Sequence, residues 1–393
     1  MAQDFVLAID AMGGENAPRA PVAGAALARE RHPALRFLFV GDQAVIERER
    51  RRHSGLAGRS EILHAPDQVP DDAKPSLALR RGQETSMFRA IESVARGDSV
   101  AAISGGNTGA LMAMALRGLK AMEGVHRPAI ASFLPSAREP VVLLDLGATL
   151  QCTAANLVEF AIMGTAFART VRDKAAPSCA LLNIGEEDVK GHEEIREAAR
   201  ILQETAATVL PGPFLGFIEA HDIASGRADV VVADGFTGNI ALKTAEGTAQ
   251  LLARELRATA SEGLRAKAGA LLLAPALRRF SRRFDARLHN GAVFLGLDGI
   301  AIKSHGRMDE QGFANALLVA DEMAGHDFLE HVREAVSRAK KTTETATATG
   351  TETTTTAAAS TGTETETTTT AAASTGTETE TTTTAAAEPR TAK

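Results

Sequence analysis

The amino-acid sequence predicts a doubly wound α/β fold, with a largely parallel sheet and helices on both of its faces. Short apolar runs, many of them β-branched, alternate with longer helical stretches through the first 340 residues. The apolar runs are continuous rather than alternating with polar residues, which is typical of strands buried on both faces. No linker rich in Pro, Gly and Ser divides this part of the chain, so we expect one large α/β unit.

The pattern places eight strands and at least five helices in alternating order. The predicted strands are Phe5–Ile9, Arg36–Val40, Val100–Ser104, Ala129–Leu134, Val141–Asp145, Ala180–Ile184, Phe214–Ile218 and Asp229–Ala233. The predicted helices are Ala17–Arg31, Thr108–Ala121, Asn156–Val171, Glu193–Thr208 and Asn239–Thr259. A helical excursion is expected near residues 260–290. Residues 1–341 are therefore interpreted as one domain.

Residues 342–393 form a repetitive tail. The segment TTTTAAASTGTETE begins at Thr353, recurs at Thr367 and restarts at Thr381. It contains no aromatic residue and no Val, Ile or Leu, so it cannot bury enough surface to offset the entropy of ordering, and we expect it to be disordered. With seven Glu and two basic residues the tail carries −5 of the formal charge of −6, which leaves residues 1–341 at −1. Two interpretations of the tail remain: an appendage that aids solubility or acts as a spacer, and a repeat expansion that the protein tolerates.

The composition argues against several classes of protein. Aromatic residues make up only 4% of the chain, with no Trp and no Tyr, which counts against recognition of single-stranded nucleic acid by base stacking. The two cysteines, Cys152 and Cys179, form no CxxC or His/Cys cluster, so no metal site is predicted. No apolar stretch has the roughly 18 residues that a membrane-spanning helix needs. A cytoplasmic protein is expected.

Glycine and polar residues cluster directly after five of the predicted strands. Because parallel strands end at a common edge where ligands bind, we expect these five loops to lie together. Backbone N–H groups and the helix N-terminus after each loop would favour a phosphate or another oxyanion. Each loop alone could be a plain turn or a helix cap. The loops are Asp10–Asn16, Ser104–Gly109, Asp145–Ala148, Asn183–Glu187 and Asp234–Asn239.

Lysines and a histidine near these loops supply candidate positive charge. Lys190 follows the loop at Asn183, Lys243 follows the loop at Asp234, and Lys303 and His305 follow a β-like run. A lone lysine is usually a surface charge, and His305 could be a structural histidine. The chain lacks the P-loop, dinucleotide and serine-hydrolase motifs, as well as a His-x4-Asp arrangement. Without an obvious covalent nucleophile, the pattern suits a reaction in which phosphate itself attacks.

Eight segments resemble the bacterial phosphate acyltransferases of phospholipid synthesis. The segments are IDAMGGENAP (9–18), DDAKPSLALRRGQETSM (71–87), SGGNTGALMA (104–113), RPAIASFLP (127–135), LLDLGA (143–148), LLNIGEEDVKG (181–191), ADVVVADGFTGNIALKTAEG (228–247) and LGLDGIAIKSHG (295–306). This family converts acyl-(acyl carrier protein) and inorganic phosphate into acyl phosphate. The resemblance implies a fold similar to isocitrate and isopropylmalate dehydrogenases and to phosphotransacetylase. It also implies a homodimer, peripheral association with the membrane, and a membrane glycerol-3-phosphate acyltransferase that uses the product.

The sequence departs from the family pattern in three places. Glu15 stands where Asp is usual, and Arg307-Met308 stand where small Ser residues are usual. The stretch 149–156, TLQCTAAN, replaces one that normally contains a Pro and a His.

The reaction implied by the resemblance assigns expected roles to residues of this chain, with no cofactor and no metal. As donors to the tetrahedral oxyanion we expect Lys190, His305, Asn183 and Asn239. As phosphate- or substrate-binding residues we expect Gly13, Gly14, Gly105, Gly106, Asn107, Thr108, Gly109, Asp145, Asp234, Thr237 and Lys303.

The segment 264–287 is strongly basic, with seven Lys or Arg against Asp285 alone. A basic amphipathic helix suits an acidic carrier protein or an anionic membrane, and equally a dimer interface. Pro275 favours a kinked helix or two short ones. The expected docking residues are Arg278, Arg279, Arg282, Arg283 and Leu272.

Two other classes of function remain as alternatives to the acyltransferase. One is a metal- and NAD-dependent dehydrogenase on the related fold. The other is a non-enzymatic scaffold for an acyl carrier protein or a membrane.

Overall fold

A computed structural model describes residues 5–283 and 285–339. Its strands form one eleven-stranded sheet in the order β3-β2-β1-β4-β11-β10-β5-β6-β9-β7-β8. The strands are β1 (Val6–Asp10), β2 (Arg36–Gly41), β3 (Ser60–His64), β4 (Ala101–Ser104), β5 (Ala129–Leu134), β6 (Val141–Leu144), β7 (Cys179–Leu182), β8 (Phe214–Ile218), β9 (Val230–Val232), β10 (Ala292–Leu295) and β11 (Ile300–Lys303).

Helices cover both faces of this sheet, as predicted. The helices are α1 (Arg19–Arg31), α2 (Gln43–Arg50), α3 (Pro75–Arg81), α4 (Ser86–Ala95), α5 (Thr108–Leu119), α6 (Ala154–Arg172), α7 (Glu193–Val209), α8 (Ala220–Ser225), α9 (Gly235–Ala260), α10 (Gly263–Arg283) and α11 (Glu310–Gly325). Residues 328–339 are also helical, and Ser54–Leu56 and Ala286–His289 are short 3₁₀ helices.

The core lies in two layers, one on each face. On one face α1, α2, α6, α7 and α11 pack against side chains such as Ile9 and Val232. On the other face α3, α4, α5 and α8 pack against alternate side chains of the same strands, such as Ala8 and Val231. β6, β7 and β9 are buried throughout, which explains why their sequences read as continuous apolar runs.

The sheet is largely parallel, but its two halves run in opposite directions. Seven of its ten neighbouring strand pairs are parallel, and the three antiparallel pairs are β11–β10, β10–β5 and β5–β6. Three successive reversals leave β6, β9, β7 and β8 antiparallel to β1–β4 and β11. We call the edge where β1, β4 and β11 end the first edge, and the edge where β6, β7 and β9 end the second edge. The prediction that all five loops share one edge is therefore wrong.

The helical excursion predicted near residues 260–290 corresponds to α10 (Gly263–Arg283). We include in it the C-terminal half of α9, which precedes α10. Its leucines are exposed, among them Leu252 (64%), Leu264 (86%) and Leu272 (84%). α10 is one helix through Pro275, so of the two expectations, a kinked helix or two short helices, the second is wrong. Among the described residues no helix is both long and apolar enough to cross a bilayer. The repeat tail predicted at 342–393 lies outside the described residues.

Candidate functional site

Asp10 lies at the end of β1, in a buried polar network at the first edge. Only 1% of its surface is exposed. Ser86 Oγ donates to Oδ1 and Ser104 Oγ donates to Oδ2, each at 2.6 Å, and the N–H of Met12 donates to Oδ1 at 3.2 Å. All of these partners are donors, as an ionised carboxylate requires. Burial raises the pKa of Asp10, and the hydrogen bonds from Ser104 and Ser86 oppose that shift.

Lys303 ends β11, which pairs with β4 in the middle of the sheet. Its ammonium donates to the carbonyl oxygen of Gly105 at 3.1 Å and to that of Ser304. Burial lowers the pKa of Lys303 to about 8, and the negative charges of Asp10 and Asp71 oppose this shift. Because burial disfavours the charged ammonium, an anion that enters the site would stabilise it.

Three glycine loops meet beside Lys303 at distances that exclude larger side chains. A Cβ on Gly105 would lie 2.6 Å from the carbonyl oxygen of Gly13, and a Cβ on Gly13 would lie 2.8 Å from the nitrogen of Gly106. Gly14 has a φ of +99°, and its Cβ would lie 3.0 Å from the carbonyl oxygen of Gly306. These glycines allow the loops after β1, β4 and β11 to form one wall.

A cavity of about 300 Å³ opens beside this wall. This volume lies at the lower end of the range for ligand pockets. The cavity is lined by Asp10, Met12, Gly13, Gly14, residues 68–71, Ser86, Met87 and Gly106.

The N-terminus of α5 faces this region with two unpaired amides. Asn107 caps the helix, because its Oδ1 accepts the N–H of Ala110 at 2.9 Å. Its Nδ2 donates to the carbonyl oxygens of Asp71 (2.7 Å) and Ala73 (3.2 Å), so the side chain holds a neighbouring loop rather than offering donors to an anion. Among the described residues no acceptor is found for the N–H of Thr108 or of Gly109. These two amides are available to an anion at the positive end of the helix dipole.

His305 is exposed two residues beyond Lys303, and Asn290 holds its backbone. The N–H of His305 donates to Asn290 Oδ1 at 2.9 Å, and Asn290 Nδ2 donates to Ser304 Oγ at 2.8 Å. The ring Nδ1 accepts the backbone N–H of Arg307 at 3.2 Å. Partial desolvation and the charge of Lys303 lower the pKa of His305. The ring is therefore neutral near pH 7, with its proton on Nε2, from which it can donate a hydrogen bond.

α9 links the two edges of the sheet. It begins at the second edge with Asp234 as its N-cap. One turn beyond Asn239, the ammonium of Lys243 lies close enough to Lys303 and His305 to lower the pKa of both. Lys243 also pairs with Glu246 at 2.7 Å. The first edge therefore has a second, exposed cation near Lys303.

Asp145, at the second edge, organises its own loop. It is completely buried, and its carboxylate accepts the N–H groups of Ile130 (2.8 Å), Gly147 (3.2 Å), Ala148 (3.1 Å) and Thr149 (2.6 Å). A buried carboxylate that accepts four backbone N–H groups supports its own loop. A part for Asp145 in phosphate or substrate binding remains a prediction.

The departure at 149–156 is accommodated next to this loop. Thr153 and Asn156 form a capping box at the start of α6. Glu194 accepts the N–H of Ala154 at 2.5 Å. These bonds satisfy the helix N-terminus without the Pro and the His of the family pattern.

The other predicted residues of the second edge also bind one another. Asp234 accepts both the N–H and the hydroxyl of Thr237, at 2.9 and 2.7 Å, and Asn239 Nδ2 donates to the carbonyl oxygen of Leu146 at 2.9 Å. Asn183 Nδ2 donates to the carbonyl oxygen of Lys190 at 3.1 Å, and the Lys190 side chain is exposed.

Within one protomer the structure does not bring Lys190 and Asn183 together with His305. β7, which Asn183 follows, lies five strands from β11, about 24 Å at the usual spacing between strands. The predicted set of oxyanion donors is therefore divided between the two edges.

Of the predicted docking residues, the structure describes the side chains of Arg279 and Leu272. Both are exposed on α10. The side chains of Arg278, Arg282 and Arg283 lie outside the described residues.

Four polar residues of the first edge were not predicted as site residues. Asp10, Ser86, Ser104 and Asn290 are all buried. A polar residue at the end of an apolar strand was the available signal for Asp10 and Ser104. Ser86 and Asn290 had none, because their partners are 76 and 14 residues away along the chain.

Comparison with known proteins identifies the family of the chain. Residues 5–331 match the family model described as fatty acid synthesis protein. The phosphate acyltransferase of Rhodospirillum centenum is 51% identical over 346 residues, which cover 88% of this chain and 97% of that protein. The phosphate acyltransferase of Gluconacetobacter diazotrophicus is 46% identical, over 86% of this chain and 89% of that protein. The chain belongs to this family. It is an acyltransferase.

Solved structures show that the fold of this acyltransferase is shared with phosphotransacetylases. A phosphotransacetylase from Streptococcus pyogenes superposes with a TM-score of 0.55 at 17% identity, over 82% of this chain and 94% of that one. The EutD phosphotransacetylase from Staphylococcus aureus gives a TM-score of 0.54 at 14% identity, over 82% and 95%. The predicted resemblance to the phosphotransacetylase fold is confirmed.

Proposed function

We propose that this acyltransferase moves a fatty acyl group from acyl-(acyl carrier protein) to inorganic phosphate and so supplies acyl phosphate for phospholipid synthesis. The observation that carries the proposal is the first-edge cradle, defined as Lys303, the glycine wall, and the free amides of Thr108 and Gly109. A half-buried cation beside the glycine wall and the N-terminus of a helix suit a phosphate anion. Membership of a family whose relatives are phosphate acyltransferases supports the choice of acceptor.

The proposed chemistry is direct transfer. A phosphate oxygen attacks the thioester carbonyl carbon, the tetrahedral oxyanion forms, and the C–S bond then breaks to release the carrier thiolate, which takes a proton from solvent. Holding phosphate against the thioester replaces a bimolecular encounter, and such positioning is worth about 7–11 kcal/mol in favourable cases. The Nε2–H of neutral His305 is the proposed donor to the oxyanion at this edge.

Lys190, Asn183 and Asn239 remain proposed participants at the second edge. Their loops lie among exposed apolar side chains, including Ile184 (80%) and Phe236 (61%). Polar loops beside exposed apolar side chains suit the acyl part of the donor. α9 would form a wall common to both edges.

The test is an assay with acyl-(acyl carrier protein) and inorganic phosphate, in which hydroxylamine traps acyl phosphate. We expect product from the full chain, and its absence would refute the proposal. Lys303→Met and Lys190→Ala, compared at limiting phosphate, locate the acceptor. If only Lys190→Ala raises the KM for phosphate, the phosphate site belongs at the second edge.

The two alternatives have less support than the transferase. Residues 5–283 and 285–339 contain no group of three or more His, Cys, Asp or Glu placed to hold a metal, so no observation favours a metal-dependent dehydrogenase. Formation of NADH from a hydroxy acid would support it. A scaffold would not require a half-buried lysine beside a glycine wall, and catalytic turnover would exclude a scaffold. We further propose that the protein is a homodimer, located in the cytoplasm with peripheral association to the membrane. A membrane glycerol-3-phosphate acyltransferase is the proposed consumer of the product.

The excursion is the proposed docking surface for the acidic carrier protein. We expect the combined reversal of Arg278, Arg279, Arg282 and Arg283 to Glu to raise the KM for acyl-(acyl carrier protein) about tenfold at low salt, because rim charges act mainly on encounter. The KM for phosphate should not change. Leu272→Ser, which removes an apolar docking side chain but no charge, shows in the same steady-state kinetics whether apolar contact contributes as well. Vesicle binding is measured alongside, and a change in neither assay would favour the dimer interpretation of this helix.

The half-buried Lys303 leads us to expect that kcat/KM for phosphate depends on pH. Because the pKa of Lys303 is lowered to about 8, kcat/KM for phosphate should fall as the pH rises through this value and the free enzyme loses the ammonium proton. Lys303→Arg should move this alkaline limb upward, since a guanidinium stays protonated to about pH 12. If the alkaline limb of the pH–rate profile does not move in Lys303→Arg, the fall in kcat/KM is due to the titration of another group.

A further inference from the structure

Two loops from opposite ends of the chain are joined at the rim of the cradle. Residues 13–16 follow β1, and residues 305–308 follow β11. The N–H of Glu15 donates to the carbonyl oxygen of Gly306 at 2.8 Å. Asn16 Nδ2 donates to the carbonyl oxygens of Met308 (3.0 Å) and Arg307 (3.3 Å). These bonds hold the loops together although they lie 292 residues apart along the chain.

The same two loops also carry an ion pair. Arg307 Nε donates to Glu15 Oε1 at 2.8 Å. The two loops are therefore joined by a contact between opposite charges as well as by the bonds to backbone carbonyl oxygens.

This ion pair lies next to groups that form the cradle. The backbone N–H of Arg307 donates to His305 Nδ1 at 3.2 Å and so fixes the proton of the neutral ring on Nε2. Gly14 packs against Gly306, since a Cβ on Gly14 would lie 3.0 Å from the Gly306 carbonyl oxygen. Any separation of the two loops would move His305 away from the glycine wall.

We propose that the Glu15–Arg307 pair is a positioning clamp, which sets the affinity of the cradle for phosphate by holding the loop of His305 against the loop of Gly14. The inference rests on the proposed function, because it takes phosphate as the ligand of this cradle. Both side chains are exposed, at 56% for Glu15 and 76% for Arg307, so the pair adds little to overall stability. Its effect is on the geometry of the site.

The clamp and simple charge attraction make opposite predictions for Glu15. If Glu15 acted only through its negative charge, Glu15→Ala would strengthen phosphate binding, because it removes a repelling carboxylate. If Glu15 is half of a clamp, Glu15→Ala weakens binding. Arg307→Ala weakens binding in both cases, so the glutamate variant decides between them.

The experiment uses the full chain with Glu15→Ala, Arg307→Ala and the exchanged double variant Glu15→Arg/Arg307→Glu. The KM for phosphate is measured with the acyl donor at saturation, together with phosphate binding by calorimetry and the thermal midpoint. We expect each single variant to raise both the KM and the dissociation constant about threefold, the size of an exposed ion pair. The exchanged variant should return both constants to within about twofold of wild type. The midpoint should move by less than about 2 °C.

Two results overturn the clamp: tighter phosphate binding by Glu15→Ala, or an exchanged variant no better than the single ones. Failure of the proposed function is recognised separately. If the wild-type chain makes acyl phosphate and Lys303→Met loses phosphate affinity, the proposed function stands even when the clamp variants are unchanged. If the wild-type chain neither makes acyl phosphate nor binds phosphate, both proposals fail.

Discussion

We expect Lys303→Met to lower kcat/KM for phosphate about 100-fold. The variant loses one charge-assisted hydrogen bond to an anion in a desolvated site, and a bond of this kind accounts for a change of that size. The half-buried ammonium is the cation of the cradle, and methionine fills a similar volume without charge. Because burial already disfavours the charged lysine, the variant should be at least as stable as wild type. Steady-state kinetics with phosphate varied, together with a thermal unfolding curve, measures both effects.

Lys303→Arg is the control that keeps the charge while changing the shape of the donor. It should retain more activity than the methionine variant, although the planar group cannot reproduce the contacts with Gly105 and Ser304. If Lys303→Met stays within about threefold of wild type, the ammonium of Lys303 contributes no hydrogen bond of the expected strength. Phosphate would then not be bound at this edge.

Asp145→Ala should destabilise the protein by about 3–5 kcal/mol, because four backbone N–H groups lose their acceptor in a buried loop. The loop also supports the start of α9, since the N–H of Gly235 donates to the carbonyl oxygen of Thr149 at 2.9 Å. Loss of the loop should therefore loosen the helix that carries Lys243 to the first edge. Urea denaturation followed by circular dichroism gives the change in free energy of unfolding.

Asp145→Asn separates the shape of this side chain from its charge. The amide oxygen can still accept the N–H of Ile130, but the amide nitrogen would face the N–H of Thr149, which is also a donor. About half of the loss in the alanine variant is expected. An alanine variant as stable as wild type would show that other acceptors reach these four groups.

The elements were predictable from the sequence wherever burial gave a continuous apolar run. β5 and β8 have the predicted bounds, and the helix predicted from Thr108 begins there because Asn107 caps it. β3 was missed because its residues are half-buried or exposed and its sequence, SEILH, is partly polar. Local patterns could not reveal that β10 and β5 run antiparallel to their neighbours, since strand direction depends on distant partners.

The candidate site was predictable only to the level of single loops. Lys303, His305 and the glycines of the first edge were identified because they follow apolar runs. Asn183, Lys190 and Asn239 follow similar runs, and no feature of their sequence distinguishes an edge that faces Lys303 from the opposite one. Asn290 acts through bonds to Ser304 and Gly312, which only the folded chain brings together.

The position of β11 has a consequence for the order in which the molecule can be assembled during synthesis. β4 is complete by residue 104 and β5 by residue 134, yet β11 and β10 occupy the centre of the sheet between them. Until about 300 residues have left the ribosome, β4 and β5 each lack a hydrogen-bonded neighbour on one side. Strands exposed in this way can pair with other chains. The nascent chain therefore has to keep two half-sheets apart until its last strands close the gap, and the cradle is complete only when that closure occurs.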